Sequence, residues 1–400
     1  MEVPSAKPEV RISEDKTKLS KLYFGFVLTK SYLCPMKQKK SYMKTTIITI
    51  ICLFCFATAQ AQNAKEARIK EIRTAYANAK KKIEQNGKHG KSPKDMSIVI
   101  NNVVDEEAEI YEFTDRCYYF DEAEEKDSNG NPEKVKRPYF IIENWDCHGH
   151  TRYSESLINP RNNMLMFYYT RGETDAGFVV ESRYYYDKNG KCIEQKHNTP
   201  NSWTDDDSVK EQFDHYIRVF KMLTKNGYNE PLDVSRPTKK TTPKAQRIKH
   251  IRDLYAQAKK RMAENDKADA RRDIYITIHD QGDDMPPRTQ EISLYFDTVE
   301  DQVEPDAYSI DNYCYFISEH SKSMSYDGYM EFLFEPKTND LVFSYTRARE
   351  EGEEHEWRYY YDENGKCIET KSNSQETDEG FYDKRAAKDY VAIMKFLLEE

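Results

Sequence analysis

Residues 183–194 read Arg183-Tyr184-Tyr185-Tyr186-Asp187-Lys188-Asn189-Gly190-Lys191-Cys192-Ile193-Glu194, and residues 358–369 read Arg358-Tyr359-Tyr360-Tyr361-Asp362-Glu363-Asn364-Gly365-Lys366-Cys367-Ile368-Glu369. The two stretches differ at one position of twelve, Lys188 against Glu363. Aligning them brings the flanking sequence into a common register, so the chain reads as a tandem repeat. Each copy reads as two strands around a tight turn, because aromatic residues suit a pleated surface and Asn-Gly supplies positive φ. A two-residue type I′ turn on Asn189-Gly190 would set Tyr186 opposite Ile193. A type I turn from Asp187, with Gly190 left-handed in a bulge, would set Tyr186 opposite Cys192. Asp first and Gly fourth favour the second arrangement.

Strand alternation then sorts the faces. Ser182, Tyr184 and Tyr186, with Trp357, Tyr359 and Tyr361, are expected in the core. Glu181, Arg183, Tyr185 and Asp187, with Glu356, Arg358, Tyr360 and Asp362, are expected to face water. Cys192 and Cys367 then read as small buried hydrophobes. The Tyr-Asp-x-Asn-Gly hairpin resembles those of bacterial YD-type repeat proteins. Here it occurs once per repeat rather than in a continuous array, and the resemblance implies nothing further about function.

Outward from the hairpin, each repeat opens with an amphipathic helix. Its apolar positions are Ile69, Ile72, Tyr76, Ala79 and Ile83 in the first copy. In the second they are Ile248, Ile251, Tyr255, Ala258 and Met262, at the spacing of a helix laid on a larger surface. Strands follow: Ile98 and Ile100 match Ile276 and Ile278, Glu109-Ile110 matches Glu291-Ile292, and Tyr139-Phe140-Ile141 matches Tyr315-Phe316-Ile317. Tyr153 to Arg171 aligns without a gap on Tyr329 to Arg347. Within that block Leu165, Phe167 and Tyr169 recur as Leu341, Phe343 and Tyr345 and are expected in the core. Met164, Met166 and Tyr168 become Asp340, Val342 and Ser344 and are expected to be solvated. A second helix closes each repeat, with Tyr216, Phe220 and Leu223 matching Tyr390, Met394 and Leu397.

The expected fold is therefore α+β, a tandem repeat of two similar domains. Each is a helix, an antiparallel meander of about six or seven strands with its helices against one face, and a helix. The domains span residues 62–228 and 243–400, joined by a Pro- and Lys-bearing linker at 229–242. Either length can bury a core of its own.

Residues 43–61 read as a signal peptide. Met43-Lys44 precedes a short apolar run that ends in Ala57-Thr58-Ala59-Gln60-Ala61. That run is too short for a membrane span, which needs about 20 residues. Residues 1–42 are basic and aperiodic and read as an upstream extension outside the native product. The expected location is the periplasm, cell surface or exterior of a Gram-negative bacterium. Residues 1–61 hold ten Lys or Arg and four Asp or Glu, so the remainder has 51 basic and 66 acidic residues, a net charge near −15. So acidic a chain is a poor partner for nucleic acid or an anionic membrane.

Candidate sites are few. Asp146-Cys147-His148-Gly149-His150 carries zinc-ligand types, and Cys147, His148 and His150 form a weak metal candidate. The second copy has Ser323, Met324 and Tyr326 at the matching positions, so a polar turn is the preferred reading and no metal or other cofactor is expected. Residues 62–400 contain five cysteines, and Cys117–Cys147 is the pair to test first for a disulfide. The binding candidate is the outward hairpin face: Glu181, Arg183 and Tyr185 with Glu356, Arg358 and Tyr360. Charged and aromatic side chains on a sheet face can grip a glycan or peptide; cross-strand charge pairing inherited by duplication is the plainer alternative. No catalytic residue is nominated: Gly-x-Ser-x-Gly, His-Glu-x-x-His, the P-loop and Gly-x-Gly-x-x-Gly are all missing. The expectation is a non-enzymatic protein binding a glycan, peptide or envelope protein. The alternatives are a secreted hydrolase with carboxylate acid/base residues, and a structural spacer.

Overall fold

The computed structural model describes residues 62–88, 93–105, 110–126, 130–173, 177–199, 205–224, 241–268, 271–280, 287–304, 307–350, 352–373 and 381–398. The expected signal segment and upstream extension, and most of the expected linker, lie outside the described residues. Residues Gln62–Glu400 make one compact unit. The elements run α1 (62–85), β1 (Asp95–Asp105), β2 (Ile110–Lys126), β3 (Pro132–Cys147), β4 (His150–Asn159), β5 (Met164–Glu173), β6 (Val179–Tyr186), β7 (Cys192–His197) and α2 (Asp206–Thr224). The second half repeats that order: α3 (Lys244–Asn265), β8 (Asp273–Asp280), β9 (Arg288–Glu304), β10 (Ala307–Lys322), β11 (Tyr326–Glu335), β12 (Asp340–Glu350), β13 (Glu353–Tyr361), β14 (Cys367–Ser372) and α4 (Phe381–Leu398). The fold is α+β: fourteen antiparallel strands and four helices among the described residues.

All fourteen strands form one sheet, each half a meander, with β1 paired to β8 at the centre. The pairing sets Ile98 opposite Ile276, Met96 opposite Ile278 and Ile100 opposite Ile274. It is symmetric about Ile98 and Ile276, which hold corresponding places in the two halves. Asp95 meets His279 at 2.7 Å and the Asn101 amide donates to Asp273 at 2.6 Å, on either side of that centre. The outer edges, β7 and β14, are short and carry Glu194, Lys196, Glu369 and Lys371, a charge pattern that discourages further strand addition.

Helices cover both faces. The stripe of α1 packs with Phe140, Leu157, Phe167 and Tyr185, and that of α3 with Phe316, Leu333, Phe343 and Tyr360. On the other face α2 and α4 share one core that runs across β1 and β8 and takes in Met96, Ile98, Ile100, Ile274, Ile276 and Ile278. His215 on α2 stacks on Phe396 of α4 with ring centroids 4.4 Å apart. The opposite face of β1 and β8 presents half-buried Ser97, Asn101, Thr277 and His279, so the cores under α1 and α3 stay separate. The expectation of helices on one face only is corrected accordingly.

The hairpin turn is the type I form. Gly190 has φ 78° and its N–H donates to the Asp187 carbonyl at 3.3 Å; Gly365, at φ 73°, does the same to Asp362 at 3.0 Å. Tyr186 pairs with Cys192 and Tyr361 with Cys367, as expected for that turn. The Asp187 carboxylate locks it by accepting from the N–H groups of Asn189 and Lys191 at 2.8 and 2.9 Å. Cys192 and Cys367 are half-buried rather than core residues.

Two readings of the strands fail for identifiable reasons. Met166, Tyr168 and Ser344 are buried, not solvated: a bulge pairs Leu157 with Phe167 and Ile158 with Leu165 and turns Met166 toward α1, while Tyr168 and Ser344 lie on the sheet's other face, which is covered too. Met166 is the extra residue, so Leu165 faces α2 while Met166 and Phe167 both face α1. Val342 repeats the bulge in the second half. The match of Glu109-Ile110 to Glu291-Ile292 is also wrong. Pairing with β1 and β8 sets Ile292 in the place of Arg116, and aligns Tyr119-Phe120-Asp121 with Tyr295-Phe296-Asp297.

No disulfide joins Cys117 to Cys147. Cys117 lies opposite Ile142 and Cys147 opposite Glu112, five positions along β2, about 17 Å at ~3.4 Å per residue. A disulfide needs Cα atoms within about 7 Å. Burial pushes the Cys117 thiol up to about 12 and raises that of Cys314, which is fully buried. In residues 62–400 a disulfide-exchange reagent near pH 8 should therefore leave both thiols untouched in the native state and count five in denaturant; rapid native labelling of Cys314 would contradict the packing.

Candidate functional site

The site is built where α3 crosses the sheet. Ile251 and Tyr255, one turn apart, point inward, and Arg252 stands exposed beside them. From β12 come Phe343 and Tyr345, and from β13 Arg358 and Tyr360, in the cross-strand pairs Phe343–Tyr360 and Tyr345–Arg358. These seven residues line a cavity of about 320 Å³. Four aromatic rings form its walls, with Tyr255 edge-on to Phe343 at 5.4 Å and Phe343 tilted against Tyr360 at 5.1 Å. The Arg358 guanidinium lies 5.1 Å over the Tyr345 ring.

The first half places the same seven residue types together: Ile72, Arg73, Tyr76, Phe167, Tyr169, Arg183 and Tyr185. The contacts correspond closely: Tyr76–Phe167 at 5.3 Å, Phe167–Tyr185 at 5.0 Å, and Arg183 over Tyr169 at 5.3 Å. Arg73 lies 5.9 Å over the Tyr185 ring.

Behind the cavity a buried carboxylate fixes the walls. Glu331 accepts from Tyr255 at 2.5 Å, Lys259 at 2.8 Å and Tyr329 at 2.7 Å. Glu155 accepts from Tyr76, Tyr153 and Lys80 in the same way, the last at 2.8 Å. A second carboxylate holds the rim: Glu356 takes Tyr345 at 2.9 Å and Arg358 at 2.8 Å, while Glu181 takes Tyr169 at 3.2 Å and Arg183 at 3.1 Å.

Burial acts to raise the Glu155 carboxyl, but hydrogen bonds from Lys80, Tyr153 and Tyr76 outweigh it and hold the group below its ordinary value. A carboxyl lowered in the fold adds stability that is complete above its unfolded pKa and is lost as pH falls through the folded one. Glu155→Gln should therefore lower the melting temperature at pH 7 and flatten the acid limb of the stability curve below about pH 4.5, the ordinary Glu range. An unchanged acid limb would remove Glu155 from the network.

Of the six residues nominated from the sequence, Glu181, Arg183, Glu356 and Arg358 stay half-exposed at the rims. Tyr185 and Tyr360 are not on a wet face; they are 5 % and 6 % exposed beneath α1 and α3. The sequence reading missed Arg252 and Arg73, and took Tyr255, Phe343 and Tyr345 with their counterparts for core alone. One signal was available: Arg73 and Arg252 agree on a helix face where neighbours Glu71 and Thr74 have become His250 and Asp253.

The Asp146–His150 segment is the β3–β4 turn, with His148 and Gly149 at φ 50° and 83° and Cys147 paired with His150. Among the described residues no three His, Cys, Asp or Glu side chains gather as metal ligands, and no helix is long and apolar enough to cross a membrane. Comparison with family models, curated proteins and solved structures returns no match.

Proposed function

We propose that this is a non-enzymatic binding protein, exported to the envelope of a Gram-negative bacterium, that holds its ligand in the pocket between α3 and the sheet. The observation that carries the reading is the agreement of all seven pocket positions between halves that differ at neighbouring sites. A cavity of about 320 Å³ with apolar walls and a few convergent polar groups is at the lower end of ligand-site size. Binding is also supported by the carboxylate behind the cavity: Glu331 accepts from two phenols and a lysine and so serves to fix the walls. We read residues 62–228 and 243–400 as copies of one domain joined by a linker at 229–242. The equivalent strand order, hairpins and helix stripes support that origin.

The test is thermal melting of residues 62–400 against polysaccharides and peptidoglycan fragments. A ligand at 100 times its Kd adds about 2.7 kcal/mol. The expected shift disappears in Arg73→Ala/Arg252→Ala, which alters exposed residues and should leave the unliganded melt near wild type. A shift that survives this variant would place binding elsewhere.

A further inference from the structure

We infer that the pocket takes a sugar bearing a single carboxylate, a uronic acid residue, held by guanidinium groups over aromatic walls. This rests on the pocket reading above and specifies its ligand. The charge of the lining favours an anion. Arg252 and Arg358 line the same cavity, and among the described residues no carboxylate pairs with Arg252. Arg358 gives one of its five N–H groups to Glu356, which leaves others for an incoming anion. Arg is the side chain suited to a planar carboxylate, which it can grip with two parallel N–H bonds.

The cavity is closed to main-chain capture of a peptide. Two common modes of peptide capture, strand addition and terminal capture in a nest, need a free strand edge or convergent backbone N–H groups. β12 is paired on both sides, with β11 and β13, and β13 with β12 and β14. The lining residues of α3 sit inside the helix, where their amides bond within it. The cavity therefore offers side chains only: guanidinium groups, ring faces and phenols. A pyranose needs no more, since its C–H faces lie on aromatic rings and its carboxylate reaches the arginines.

The protein's own charge limits that of the ligand. Residues 62–400 carry a net charge near −15. A densely charged polyanion is repelled by such a surface, whereas one carboxylate meets Arg252 and the N–H groups of Arg358 that Glu356 leaves free. The favoured ligand is a single uronic residue or the terminus of a sparsely charged glycan.

The experiment titrates residues 62–400 with methyl β-D-glucuronoside and methyl α-D-galacturonoside, and with the matching neutral glucoside and galactoside, by calorimetry. At least one uronoside should bind ten-fold or more tightly than its neutral counterpart, and weaken as salt rises. Arg73→Ala/Arg252→Ala should remove at least ten-fold of that affinity. Arg183→Lys/Arg358→Lys keeps the charge but removes the bidentate grip, and should weaken binding by a smaller factor. Equal binding of neutral and acidic sugars would overturn the carboxylate inference and leave the pocket reading intact. Uronoside binding indifferent to Arg73→Ala/Arg252→Ala would overturn both. No binding of either uronoside at 10 mM, about 3 kcal/mol of affinity at best, overturns the inference, while the broader ligand panel judges the pocket separately.

Discussion

Expressed without residues 229–400, the first half should not remain a monomer; it should form a two-fold dimer through β1. In the intact protein β8 covers that edge in a register centred on Ile98 and Ile276. Because these two residues correspond, a second copy of β1 can take the place of β8 with Ile98 opposite Ile98. Met96 would then meet Ile100, and Asp95 would meet Asn101, repeating the 2.6 Å bond between Asn101 and Asp273. The alternative is costly. A lone first half would expose the edge N–H and C=O groups of β1 and lose Ile274, Ile276 and Ile278 from the shared core, roughly 1.5–3 kcal/mol for each fully buried side chain. Self-pairing restores both, as in other isologous interfaces. Light scattering should give twice the monomer mass at micromolar concentration. Ile98→Cys in this fragment should oxidise to a covalent dimer, since directly opposed antiparallel residues lie about 4.5–5.5 Å apart. A folded monomer that resists cross-linking at Ile98 would mean that the β1–β8 junction is incidental to the core.

What could be read from the sequence divides along physical lines. Local chemistry was legible: the Asp-x-Asn-Gly turn gave the Tyr186–Cys192 pairing, and the three-then-four stripes placed Ile72, Ile251, Phe220 and Met394 in the core. The second face of the sheet was not. A strand covered on one side shows a polar/apolar contrast, but Tyr184, Tyr185 and Tyr186 are all at most 5 % exposed. Tyrosine can serve on either face, so the run carries no parity. Bulges at Met166 and Val342 then reverse the alternation in mid-strand, which no period-2 reading anticipates. The joining of two meanders through β1 and β8 leaves no local signal either, because Ile98 and Ile276 look the same whether their strand is an edge or a centre. The pocket lay between these limits. Its residues were visible as repeats, but seeing them as one cavity requires α3 over β12 and β13.

Replacing Arg116 with Ile should be among the most damaging single changes in the first half, costing about 3–5 kcal/mol. Arg116 and Glu143 are each 1 % exposed beneath α2, joined at 2.7 Å. Tyr216 donates to the same carboxylate at 2.7 Å and Arg152 at 3.2 Å, and the Arg116 guanidinium lies 4.2 Å over the Tyr216 ring. Removing Arg116 leaves a buried carboxylate short of its strongest partner and opens a gap against Tyr216. The second half shows how such a site can be satisfied otherwise. Ile292 stands where Arg116 does, and its carboxylate, Glu319, is met by Gln290 at 2.8 Å, by Ser321 at 3.0 Å and by Tyr390. The expected result is therefore a paired one, read by urea unfolding. Arg116→Ile alone should lower the midpoint sharply. Arg116→Ile combined with Glu143→Gln should recover most of the loss, because a neutral amide can still bond Tyr216 without a buried charge. If Arg116→Ile unfolds at the wild-type midpoint, the pair contributes nothing net. If the double variant is no better than the single one, the loss comes from packing against Tyr216, and electrostatics in this core are secondary.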